Sequence, residues 1–393
     1  MISQSNEIWI TENVSIRALV EYPGRYSEEL GSSPGLTSYL LGALSEYRIQ
    51  RLRGLWYLYN NQALHSKFAE LLEDGADVSV HSIPLEGYTK TRRGVHEPFS
   101  KYDAAKLIYE SSSASEFLRT FPETLVRSTR MVQFSRGKLP YSLHAKGLYF
   151  ESEDFDNLFL TSSNMSLIDD SKIEIGLHVK ARKDGGLQSL KEFFDFVPRA
   201  RASVRLGNAP ILIQPTGSWV SDSNLQLCRI LESFGSRPGG DSDMMFAQHI
   251  SGVTERLVDG SIFTSPLYRM IDEGAIHKMV SQTSASGVGR TVKNARANFA
   301  LEEHAFNKGV EWRTHVDLHA KFLVHGDYSL ISTSNFTNTS LIWLRDTQIS
   351  PRLETPFSEV GISVVIKSGE LSSFLLREGL KIWDLSKKIH QDR

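Results

Sequence analysis

Residues able to do phosphate chemistry recur in this chain at matched spacing. Leu143-His144-Ala145-Lys146 returns letter for letter as Leu318-His319-Ala320-Lys321, 175 residues later. Each copy runs into an apolar stretch, Gly147-Leu148-Tyr149-Phe150 in the first and Phe322-Leu323-Val324 in the second. A hydroxyl-rich turn ending in asparagine follows, Leu160-Thr161-Ser162-Ser163-Asn164 and Ile331-Ser332-Thr333-Ser334-Asn335. Farther on, Ile173-Glu174-Ile175-Gly176-Leu177 matches Ser358-Glu359-Val360-Gly361-Ile362. Four blocks repeated in one order identify an internal duplication. On a strand, residues two apart share a face about 6.5–7 Å apart along the chain. His144 and Lys146 then point one way, and Leu143 and Ala145 pack the other; the second copy behaves alike. Two such units paired about a pseudo-two-fold axis would bring two histidines, two lysines and two asparagines to one cleft. That cleft suits a tetrahedral phosphate, whose charge concentrates in a five-coordinate transition state. One imidazole can attack phosphorus; the other can protonate the leaving oxygen and then activate water. Lysines and amides supply the charge stabilisation, so the reaction requires no metal or other cofactor.

These residues resemble the phospholipase D superfamily, whose signature is a duplicated His-x-Lys strand, a downstream Gly/Ser-x-Asn turn and a later acidic residue. The resemblance spans both halves of the chain. It implies a covalent phosphohistidine, with His144 as nucleophile and His319 as general acid and base. Lys146, Lys321, Asn164 and Asn335 would grip the phosphate, and Glu174 and Glu359 would hold the histidine rings through Nδ1–H. Many members carry an aspartate five residues after the lysine; here Glu151 and Gly326 occupy those places, with Asp327 one step late. The turn glycine is replaced by Thr161 and Ser332. Copies lacking the aspartate resemble the tyrosyl-DNA phosphodiesterase branch more than the lipid-synthase branches.

The elements that must position these groups follow from periodicity. Residues 15–22, 54–59 and 78–83 read as strands, and 36–47 and 62–72 as helices, the second ending at Gly75. Strand and helix alternate, which argues for α/β layers. The expected architecture is two similar α/β/α sandwich halves, 1–200 and 201–393, with mixed sheets related by a pseudo-two-fold axis. Residues 86–138 interrupt the first half as an insertion carrying Lys90, Arg92, Arg93, Arg136 and Lys138. A Ser/Gly-rich loop at 281–289 feeds a helix that starts near Arg290 and bears Lys293 and Arg296. Arg92, Arg93, Arg136, Lys138, Arg290 and Lys293 are candidate contacts to substrate phosphates.

Composition narrows the class. With 393 residues, 40% of them hydrophobic and 23% charged, the chain is globular rather than disordered and large enough for two units. Its one cysteine, Cys228, builds neither an intrachain disulfide nor a cysteine zinc site and fits a reducing, cytoplasmic setting. No apolar run of about 18 residues is present, so no membrane span is expected. A net charge of −2 excludes a uniformly basic nucleic-acid binder but not a local basic groove. A third His-x-Lys, His65 and Lys67, lies in a helical pattern and is assigned to an exposed helix face. His315 and His325 flank the second motif, but the first copy has no matching histidines, which argues against a metal there. The favoured function is a metal-independent nuclease or nucleic-acid end-processing phosphodiesterase, with nucleic acid as partner. The alternatives are a phospholipid head-group hydrolase, or a non-catalytic nucleic-acid-binding subunit working with a helicase or another motor. Both motifs lie in one chain, so the site needs no oligomer.

Overall fold

In the computed structural model, residues 2–26, 35–56, 61–82, 88–90, 96–98, 126–128, 141–164, 171–183, 185–195, 204–206, 210–216, 226–236, 240, 243–252, 255–256, 262–283, 292–341 and 358–389 are described. The first half contributes strands β1 (Val14–Glu21), β2 (Arg51–Trp56), β3 (Asp77–Ser82), β4 (Val126–Ser128), β5 (Tyr141–Leu143), β6 (Gly147–Glu151), β7 (Phe155–Thr161) and β8 (Glu174–Arg182). The second contributes β9 (Ile211–Thr216), β10 (Met244–Ala247), β11 (Lys278–Ser281), β12 (Glu311–Thr314), β13 (Phe322–His325), β14 (Tyr328–Ser332) and β15 (Ser358–Lys367).

The first sheet runs β1-β8-β7-β6-β2-β3-β4 and the second β9-β15-β14-β13-β10-β11-β12, with short strands added to each. In both, the first four neighbouring pairs are antiparallel and the last two are parallel. The protein is therefore two α/β units of one topology. Within the 86–138 stretch, Val126–Ser128 belongs to the first sheet and pairs with β3 as β12 pairs with β11.

Both faces of the central strands are buried, and alternation sorts their side chains into separate cores. Tyr149, Leu158 and Leu160 face a core shared by the two sheets, where they meet Phe246, Phe322 and Ile331. Leu148, Phe150 and Phe159 face the opposite way, against α1 (Leu36–Glu46) and α2 (Gln62–Glu73). A strand buried on both sides reads as a near-continuous apolar run, as these do. The second sheet covers its outer face with α3 (Gln226–Gly235), α4 (Pro266–Asp272) and α5 (Val292–Asn307). The last helix, α6 (Gly369–Asp384), lies between the halves, and the Tyr22 hydroxyl donates to its fully buried Glu378 at 3.0 Å.

Helix α2 forms where the periodicity places it, with Asn61 capping its start and Gly75 at φ 89° after its end. His65, however, is buried rather than on an exposed face; only Lys67 of that pair reaches Glu70 at the surface. Trp56 is fully buried in the first-half core. No helix among the described residues is long and apolar enough to cross a membrane.

Candidate active site

Each His-x-Lys run sits just before a strand rather than within one, in an extended segment leading into β6 or β13. Alternation persists through that segment. Ala145 and Ala320 are fully buried in the shared core, and the lysine of each copy folds back toward its histidine. Lys146 Nζ donates to the His144 carbonyl at 2.9 Å and lies 3.3 Å from His144 Nδ1. Lys321 Nζ donates to the His319 carbonyl in the same way. Both lysines are fully buried. An ammonium group taken out of water needs partners and counter-charge, and each lysine begins by chelating its own motif backbone.

The asparagine turns are built by their hydroxyls. Ser163 N–H donates to Thr161 Oγ1 at 2.9 Å, and Ser334 N–H donates to Ser332 Oγ at 3.0 Å, short-range bonds that hold a turn without glycine. Ser162 Oγ accepts the Ile175 N–H at 2.9 Å, and Thr333 Oγ1 accepts that of Ile362 at 3.0 Å. Each turn is thereby stapled to the strand that carries its own half's acidic block.

The two halves then exchange partners. His319 Nδ1 meets Glu174 Oε1 at 2.6 Å, so a carboxylate of the first half orients the histidine of the second. The Ser162 hydroxyl donates to the other oxygen of Glu174. His144 Nδ1 meets the Thr333 carbonyl at 3.0 Å, so the second half orients the histidine of the first. The Thr333 carbonyl only accepts and lies nearer Nδ1 than the Lys146 ammonium at 3.3 Å, so the shorter contact assigns the His144 proton to Nδ1 and its lone pair to Nε2. Backbone pairing makes the same exchange, with Ile173 against Leu318 and β5 parallel to the start of β15. Around the crossing, Tyr26 OH donates to Asp317 at 2.8 Å, and Arg25 pairs with that carboxylate.

The two histidines differ in electrostatic setting. Burial holds His144 well below its ordinary imidazole value, reinforced by Lys146, Lys321 and His319 and opposed by the Thr333 carbonyl. His144 is therefore neutral. Burial pushes the Glu174 carboxyl up to about 7, with Lys321, the Ser162 hydroxyl and Lys146 pulling it back.

Strand register corrects one expected equivalence. Thr161 lies opposite Gly176, whereas Ser332 lies opposite Ser363. Ile173 pairs with Leu318, and Val360 pairs with Leu143. Both registers make Gly361, not Glu359, the counterpart of Glu174. The matched blocks slip by two residues, a shift that keeps every side chain on its face and so leaves the alternation unchanged. A Cβ on Gly361 would sit against Ser334 Oγ. Glu359 itself is in β15 opposite Ser142, and its side chain lies outside the described residues.

Of the other expected site residues, Asn164 and Asn335 are buried at the ends of their turns. Asn335 Oδ1 accepts the backbone N–H of His249 at 3.1 Å. Arg92, Arg93, Arg136, Lys138 and Arg290 lie outside the described residues; Lys293 is on α5, with its side chain outside them. His315 and His325 are both buried, His325 against Asp243 at 2.7 Å. No group of three or more His, Cys, Asp or Glu with metal-binding geometry occurs among the described residues. Sequence reasoning missed His249, which follows β10 at the second motif's edge and has no counterpart in the duplicated pattern.

This architecture is shared with solved structures. Phosphatidylserine synthase from Haemophilus influenzae superposes at TM-score 0.54 with 11% identity, over 98% of this chain and 89% of that one. A variant of yeast tyrosyl-DNA phosphodiesterase gives 0.50 with 11% identity, over 90% and 91%. Polyphosphate kinase from Porphyromonas gingivalis gives 0.50 with 12% identity over 93% of this chain, which spans 55% of that protein. No protein-family model matches the chain, and no curated protein matches it in sequence. The protein has the two-half fold of the phospholipase D superfamily.

Proposed function

We propose that this protein is a phosphodiesterase that acts on nucleic acid through a covalent phosphohistidine. The observation that carries the reading is the exchange of ring partners, His319 on Glu174 and His144 on Thr333. It makes the two imidazoles unlike, which suits a displacement in which one ring attacks and the other gives up a proton.

His144, neutral with its proton on Nδ1, attacks phosphorus with the Nε2 lone pair. The bond from phosphorus to the leaving oxygen breaks as that oxygen takes the proton from His319 Nε2. Glu174 stabilises the imidazolium form of His319 before the transfer. In the second step His319 Nε2 takes a proton from water. The water oxygen bonds to phosphorus, and the phosphorus–nitrogen bond to His144 breaks. Lys146, Lys321, Asn164 and the Asn335 amide nitrogen meet the non-bridging oxygens, where charge builds in both transition states. These groups supply the positive field that a metal supplies in other phosphodiesterases.

The substrate class rests on the basic groups that precede each motif in the chain. Arg92, Arg93, Arg136 and Lys138 come before His144, and Arg290 and Lys293 before His319. Cations ahead of each motif in the sequence suit a ligand with a train of phosphates, and contacts from them would make binding salt-dependent. The test is cleavage of an end-labelled oligonucleotide in EDTA by the native chain and by His144→Ala. Native turnover that is lost in the variant is expected. Turnover that survives loss of His144, or that requires added Mg²⁺, overturns the mechanism; release of a lipid head group with no oligonucleotide cleavage overturns the substrate.

A further inference from the structure

Among the imidazoles of the second half that the mechanism above leaves unused, His249 is hydrogen-bonded to a motif asparagine. Phe246 lies opposite Phe322 and Leu55 opposite Gly147, and Phe322 and Gly147 each follow a motif lysine. Three residues beyond those matched positions stand His249 in the second half and Leu58 in the first. By sequence offset the duplication therefore pairs a histidine in the second half with an aliphatic residue in the first.

His249 is tied to the site twice. Its backbone N–H donates to Asn335 Oδ1 at 3.1 Å, which turns the Asn335 amide nitrogen, a pure donor, the other way. Burial lowers its proton affinity, to about 4, and the charges of Lys321 and His319 add to the effect. The ring is half-buried; Nδ1 is shut off from solvent and has no hydrogen-bond partner. A buried orphan N–H is rarer than an under-satisfied acceptor, so the neutral ring places its lone pair on Nδ1 and its proton on Nε2. The ring's other edge, which is not shut off from solvent, is then an N–H donor. A neutral donor is also what a site already holding two buried ammonium groups can add without further charge repulsion.

Resting on the proposed phosphodiesterase reading, we propose that His249 is a phosphate-binding residue. Its Nε2–H donates to a non-bridging oxygen of a phosphodiester seated between the motif histidines, and its backbone N–H aims the Asn335 amide at the same phosphate.

The experiment compares the native chain with His249→Leu, His249→Phe and His249→Gln. It measures competitive inhibition by orthovanadate and kcat/KM for bis(4-nitrophenyl) phosphate, with thermal melts to confirm folding. The leucine and phenylalanine variants are expected to bind vanadate roughly tenfold or more weakly, the worth of one hydrogen bond to a charged acceptor. The glutamine variant, which keeps an N–H donor, stays within about threefold of native. Phenylalanine fills the ring's space, so it reads the donor should the leucine variant fail to fold. Native-like vanadate inhibition in a folded donor-less variant overturns the inference, as does equal loss in the glutamine variant. If the native chain neither binds vanadate nor cleaves the ester, the phosphodiesterase reading falls first and takes this inference with it.

Discussion

Glu174→Gln should make the protein more stable at neutral pH while removing most of its activity. The carboxyl is fully buried and pushed from an ordinary 4.5 up to about 7. The folded chain thus holds that proton more tightly than the unfolded chain does. The sign follows by linkage. Glu174 costs nothing below about pH 4.5, where both states are protonated; between there and about pH 7 the unfolded chain ionises first and native stability drains away. The raised value corresponds to about 3 kcal/mol at full ionisation. Between pH 5 and pH 8 the native chain should therefore lose roughly 2–3 kcal/mol relative to a variant with no ionisable group at this position. Glutamine preserves the geometry, with its carbonyl still accepting from His319 Nδ1 and its amide able to donate to Ser162 Oγ. What it cannot do is stabilise an imidazolium, so kcat/KM should fall on the order of 10²-fold or more. Urea denaturation of both proteins at pH 5 and pH 8, with oligonucleotide cleavage at pH 7, measures both effects. A stability gap that does not change with pH, together with undiminished cleavage, would refute the assignment of Glu174 as the buried partner of a catalytic histidine.

Three further outcomes follow from the same geometry. His319→Ala, given an ester with a nitrophenolate leaving group that needs no protonation, should accumulate a phosphorylated His144; intact-mass spectrometry finding no adduct would count against His144 as nucleophile. Ser162→Ala removes the acceptor of the Ile175 N–H and a donor to Glu174, and should cost about 1–3 kcal/mol in urea denaturation as well as activity. Gly361→Ala drives a methyl group against Ser334 Oγ in a packed turn and should destabilise by about 1–3 kcal/mol, whereas a neutral effect would mean that the turn yields freely.

The duplicated blocks made the fold class and the histidine, lysine and asparagine positions readable, because a repeated residue type at a repeated spacing survives without coordinates. Helix α2 was readable from its apolar rows and its terminal glycine, yet His65 was misjudged. Its side chain lies beside the apolar stripe, and period alone does not fix where such a boundary falls. The pairing of Glu174 with His319 was hidden for another reason: it joins residues 145 apart across two sheets, and nothing local encodes it. The slip from Glu359 to Gly361 was invisible because a two-residue shift preserves strand alternation. His249 was missed because a repeat search rewards sameness, and this residue breaks it.

The Glu174–Gly361 inequivalence gives the cleft a polarity. A symmetric pair of first halves would back both imidazoles with carboxylates, and a pair of second halves would back neither from that strand position. Covalent fusion of unlike copies gives one of each, so the two ends of a bound diester are not interchangeable. On the proposed mechanism the departing alcohol leaves past His319, and a strand threaded backwards would present its ester oxygen to the wrong ring.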